Sequence, residues 1–146
     1  MENDKLERIP AEVAAGIVGI TTKNVITLTT RKILKGKREP LGERKGAYYF
    51  TFGEVFFLAV LVRFQKKFSI RYTDSLTWKK RIIEAMTNGD ALVLIDSEGK
   101  VESIGSDMQG MATMIDLNAI MKRDVSIFLN VKKLRRELTE KINSWA

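Results

Sequence analysis

Apolar positions along this chain change period several times, and each change marks an element. Pro10 suits the first turn of a helix, where its missing amide hydrogen is not needed, and Val13, Ala14 and Ile17 then fall on one side. Gly16 and Gly19 close that helix quickly. Thr21 is placed to cap a second helix, in which Val25, Leu28 and the Lys32 stem follow an i, i+3, i+7 inward stripe, while Lys23, Asn24, Thr27 and Arg31 face the other way. Helices this short are unstable alone because nucleation is costly, so both need a support. The helix expected from about Phe52 to Lys67 is the evident one. Its stretch Val55 to Val62 (VFFLAVLV) is apolar around most of the circumference and needs cover on more than one side, either from the C-terminal half or from a second copy.

Between these helices lies KGKREPLGERKG, residues 35–46, whose Gly36, Pro40, Gly42 and Gly46 mark turn and loop. Ala47 to Thr51 (AYYFT) is a short β-type run. Alternation in it sends Tyr49 inward, which favours packing over a base-stacking platform built from Tyr48, Tyr49, Phe50 and Phe52.

The second half gives an α+β pattern. Ser75 to Met86 carries Leu76, Ile82, Ile83 and Met86 at helical spacing and is ended by Thr87-Asn88-Gly89. Ala91 to Ile95 and Val101 to Ile104 flank Asp96-Ser97-Glu98-Gly99-Lys100, a β-hairpin signal. Met111 to Met121 is ambiguous between helix and strand. Val125 to Val131 is expected as a third strand and Lys133 to Trp145 as a closing helix, with Leu134, Leu138, Ile142 and Trp145 in one apolar stripe.

Charge sharpens the picture. The 146 residues hold 25 Lys plus Arg against 18 Asp plus Glu, net +7, and the surplus is uneven: residues 1–70 carry 13 basic and 7 acidic side chains, residues 71–146 carry 12 and 11. An acidic partner is favoured, and the N-terminal half is where it would bind. From Arg31 to Lys45 alone there are seven basic residues and two acidic ones. With no Cys and no His, disulfides, thiolate nucleophiles, Cys/His zinc sites and imidazole acid–base chemistry are excluded. Asp90, Asp96, Glu98, Glu102 and Asp107 gather around the hairpin without a catalytic motif, so turn and edge-strand solubility explains them and no enzyme, metal or cofactor is expected. The charged start MENDKLERIP and an apolar run of only eight residues point to a soluble, cytoplasmic chain with no membrane partner.

Glu12-Val13-Ala14, Gly19 through Val25 (GITTKNV), Ile33-Leu34, Gly46 through Val55 (GAYYFTFGEV) and Phe68-Ser69-Ile70 together resemble the MerR-type winged helix-turn-helix, over roughly residues 9–70. The resemblance implies a first helix, a glycine turn, a recognition helix, a wing closing on an aromatic-Thr/Ser-x-x-acidic-aliphatic step, and a supporting helix. The chain departs from that family at Ile26, Thr27 and Leu28, where an arginine and paired aromatics are usual, and at Tyr48, where the wing often has arginine. The family's long C-terminal coiled coil and effector-binding cysteines are missing.

The expected fold is α+β: a winged helix-turn-helix over 1–70, then a small module over 71–146 with a β-hairpin and a third strand, serving dimerisation or partner binding. The expected function is that of a transcriptional regulator binding double-stranded DNA sequence-specifically through a recognition helix at about 21–32 and a basic wing at about 35–50. Lys23, Asn24 and Thr27 are the candidates for the major groove, with Asn24 able to pair bidentately with adenine. Arg31, Lys37, Arg38, Arg44 and Lys45 would hold phosphates. A homodimer is expected, since one short helix and one wing give few contacts. Two other readings stay open. In one, an antitoxin or anti-activator type of adaptor binds a protein through residues 71–146, with auxiliary DNA binding; in the other, the protein bends DNA as an excisionase does.

Overall fold

The computed structural model describes residues 6–38, 46–96, 101–105 and 126–145. It is a mixed α+β chain with two small antiparallel sheets. Two compact units are present, Met1–Thr77 together with Glu137–Ala146, and Trp78–Arg136.

The first unit contains β1 (Ile9–Pro10), α1 (Ala11–Val18), α2 (Thr22–Thr30), β2 (Lys37–Arg38), β3 (Tyr48–Phe50), α3 (Phe52–Phe68) and α4 (Tyr72–Ser75). Thr51 caps α3 by accepting the Glu54 N–H at 3.3 Å. Lys66 and Lys67 occupy its last turn, where cations oppose the negative end of the helix dipole. Every residue from Glu54 to Val62 is buried, as is Phe64. A single chain therefore covers this helix on all sides, and a second copy is not needed for that.

Three residues join α1 to α2, and the two axes bend by 113°. Gly19, at φ 86°, makes the turn: its own N–H and that of Ile20 both reach the Ala15 carbonyl. The buried side of α1 is Ala11, Ala14 and Ala15, whereas Val13 and Ile17 are only half-buried, so the inward face is rotated from the expected one. Thr21 caps α2 as expected, accepting the Asn24 N–H at 3.2 Å, and Val25 and Leu28 are buried.

The second helix stops at Thr30, before the expected end near residue 32. Lys32 sits in the left-handed region at φ 62° and is exposed, so its stem does not extend the inward stripe. The Lys32 N–H bonds the Thr29 carbonyl and the Ile33 N–H bonds that of Leu28, each at 3.0 Å, with Leu28 and Ile33 both buried. This is a Schellman ending with lysine where glycine is usual.

The first sheet has the order β1-β3-β2, with Ile9 opposite Phe50, Lys37 opposite Tyr49 and Arg38 opposite Tyr48. The expectation for Tyr49 is corrected here. Phe50 is the ring sent into the core, in register with buried Ile9, and strand alternation puts half-buried Tyr49 on the opposite face.

In the second unit β5 (Val101–Gly105), β4 (Asp90–Asp96) and β6 (Ser126–Asn130) form a sheet in that order, so both the hairpin and the third strand are present. Val93, Leu94 and Ile95 are all buried, which means both faces of β4 are covered. The expected helix from Ser75 to Met86 is instead a short α4, a 3-10 turn at Leu76–Trp78 and α5 (Lys79–Asn88). Ile82, Ala85 and Met86 form its buried stripe, whereas Leu76 lies outside it and is exposed. Gly89, at φ 76°, ends α5, and the Arg135 guanidinium donates to the Met86 carbonyl at 3.0 Å. The last helix, α6 (Val131–Ser144), starts two residues early because the Asn130 side chain accepts the Lys133 N–H at 2.9 Å. Leu134, Leu138 and Ile142 keep the expected stripe, but Trp145 is exposed. The Met111–Met121 segment and the Ser97–Lys100 turn lie outside the described residues.

Two substitutions test this description through unfolding midpoints. Lys32→Gly relieves the left-handed conformation of an L-residue and is expected to stabilise the chain by about 1 kcal/mol. The Ser75 hydroxyl is fully buried with no hydrogen-bond partner among the described residues, so Ser75→Ala should also stabilise, by about 1 kcal/mol.

Candidate nucleic-acid interface

The buried stripe of α2 fixes what it leaves outside. With Val25 and Leu28 turned inward, Lys23, Asn24, Ile26, Thr27, Thr30 and Arg31 stand exposed. Lys23 and Asn24 lie at the capped N-terminus, and Thr27 and Arg31 follow at intervals of four on the same side. The Thr27 hydroxyl donates to the Lys23 carbonyl at 2.9 Å, so its proton is used inside the helix and what it offers outward is a methyl group and a lone pair.

The strand β2 carries Lys37 and Arg38, both exposed. Being adjacent in a strand, they point to opposite sides of the ribbon. The Arg38 guanidinium lies 4.1 Å over the ring of Tyr48, its cross-strand partner. On the other side Arg8 lies 5.0 Å over the Tyr49 ring. Lys37 shares that side, in a concavity of about 580 Å³ lined also by Glu7, Lys35, Thr51 and Glu54. Lys37 and Arg38 therefore flank the ribbon instead of sharing a face. Arg44 and Lys45 lie outside the described residues.

What holds the ribbon against the helices is a buried carboxylate. The Thr51-x-x-Glu54 spacing is that of a capping box, yet Glu54 accepts the backbone N–H of Lys35 at 3.0 Å, tying the exit of α2 to the first turn of α3. The next residue, Gly36, has no room for a side chain: a Cβ there would stand 2.8 Å from the Phe50 ring and 3.1 Å from that of Tyr48. Lys35 and Gly36 thus fix the position from which Lys37 and Arg38 depart. Sequence reading did not single out Arg8, and it met Glu54 only as the acidic residue of the aromatic-Thr-x-x-acidic-aliphatic step, without a structural role. The acidic residue of the capping-box spacing was the available signal for Glu54; for Arg8 there was none, because its placement follows from the pairing of β1 with β3.

Among the described residues no group of acidic side chains is arranged to hold a metal ion, and no single helix is long and apolar enough to cross a membrane. Gly36→Ala should destabilise by about 1–3 kcal/mol through overpacking against Phe50, read by denaturant titration. Glu54→Ala should cost a similar amount, about 1–3 kcal/mol, while Glu54→Gln, which keeps an acceptor oxygen, should recover most of it. The chain matches no protein-family model and no curated protein.

Proposed function

We propose that this protein is a sequence-specific, double-stranded DNA-binding transcriptional regulator that lays α2 in the major groove and the β2–β3 ribbon along the flanking backbone. The observation that carries this reading is the 113° bend between α1 and α2 over three residues, in a pair whose second helix buries Val25 and Leu28 and exposes Lys23, Asn24, Thr27 and Arg31. Helices joined at about 90–120° by a turn of three or four residues, often with a glycine, are the geometry of helix-turn-helix DNA binders. The family resemblance of residues 9–70 points the same way.

Roles divide by chemistry. Asn24 suits a base edge, because a side-chain amide matches the donor–acceptor pair of adenine, and Lys23 at the helix tip suits guanine or a phosphate. Arg31 ends the helix, while Lys37 and Arg38, on either side of the ribbon, suit phosphate oxygens. At about 1.5 Å per residue the nine-residue α2 spans roughly 13 Å, or about four base-pair steps. So short a reading head favours two copies on paired half-sites about one helical turn apart. In this reading residues 71–146 serve dimerisation or hold a protein partner.

Purified protein should shift a selected duplex in a gel, with affinity falling steeply as salt rises. Arg31→Gln should lower the slope of log affinity against log salt by about 1, as loss of one phosphate contact does. Asn24→Ala should leave that slope alone and relax preference at one base pair. Reversing the charge of Lys23 together with Arg38 should abolish the shift while moving the thermal midpoint little, since both side chains are exposed. An unaltered shift in that double variant would overturn the assignment.

A further inference from the structure

We infer that the protein selects its duplex in part through thymine methyl groups, read by Ile26; this rests on the DNA-binding reading above. Ile26 is a large aliphatic side chain, 39% exposed, on the helix assigned to the major groove. Lys23 precedes it by three residues and Thr30 follows by four, so all three share one flank of α2, with Thr27 beside them. The threonines do not make this flank a donor surface. The Thr27 hydroxyl donates to the Lys23 carbonyl at 2.9 Å and the Thr30 hydroxyl to the Ile26 carbonyl at 3.0 Å. Both protons are used within the helix, so this flank presents an isoleucine and two threonines whose protons are spent, next to the Lys23 cation.

The base edges in the major groove decide what such a surface can read. They carry acceptors and amino donors on every pair, and one apolar group, the C5-methyl of thymine. An isoleucine pressed against guanine O6 or cytosine N4 strips water from a polar atom and returns no hydrogen bond, which is unfavourable. Pressed against the thymine methyl it removes apolar surface from water on both partners, which is favourable. The sign of the effect is thus fixed: T·A is preferred at the one or two positions beneath Ile26, and Lys23 on the same flank supplies charge without competing for the methyl.

The test uses the full chain and a duplex enriched from a random pool. Each thymine of that duplex is replaced in turn by deoxyuridine, which removes the methyl and nothing else, and affinity is read by fluorescence anisotropy. At one or two positions the wild-type protein should bind the uracil duplex about fourfold more weakly, the worth of one buried methyl. Ile26→Ala should bind thymine and uracil duplexes alike, with its melting midpoint close to that of the wild type. Equal wild-type affinity for every uracil duplex overturns the inference and leaves DNA binding standing, and it does so whether or not the variant folds well. Retained discrimination in a folded Ile26→Ala overturns it as well. If no duplex is enriched, the DNA-binding reading falls and takes this inference with it.

Discussion

The first unit depends on α3 being apolar on all sides. A helix with one greasy stripe needs one neighbour, whereas nine consecutive buried residues from Glu54 to Val62 need neighbours all round. Each large apolar side chain so buried contributes about 1.5–3 kcal/mol, more than the roughly 1 kcal/mol that a capping residue adds. The short α1 and α2 are therefore stable because α3 gives the unit a core. Their exposed faces are what that packing leaves over, which is why the candidate groove-facing residues of α2 follow from the burial of Val25 and Leu28.

A second constraint acts on the ribbon. Its two strands are too short to hold themselves, with β2 and β1 pairing only two residues each with β3. Their place is set instead by the Glu54 carboxylate on the Lys35 N–H, by the packing of Gly36 against Phe50, and by the insertion of Phe50 and Ile9 into the core. Buried groups thus aim the exposed cations, and the rings of Tyr48 and Tyr49 support Arg38 and Arg8.

Features written in local chemistry were legible in the sequence. Thr21 as a cap, Gly19 and Gly89 as helix ends, the inward Val25 and Leu28, and the hairpin flanking residues 96–100 each depend on a few neighbouring residues. The outer face of α2 was legible for the same reason, being the complement of a clear stripe. Features set by distant partners were not. The strand at Ile9–Pro10 has too few residues to show a period and exists because β3 offers it an edge. The parity of Tyr49 and Phe50 is decided by which ring reaches the core, and both are aromatic, so alternation alone cannot choose. Lys32 gives no sign of a left-handed helix end, because that ending is enforced by the burial of Leu28 and Ile33. The opposed directions of Lys37 and Arg38 could have been anticipated, since neighbours in a strand always diverge.

The grouping of Glu137–Ala146 with the amino-terminal unit has a consequence for biosynthesis. During translation, residues 78–136 must all be made before this unit's remaining helical segment emerges. Until then α3, the greasiest element of the chain, waits on the ribosome without part of its unit, a condition in which exposed apolar surface invites aggregation or chaperone capture. Maturation of the proposed DNA-facing surface thus waits for residues 137–146, although nearly every residue that composes it precedes residue 51.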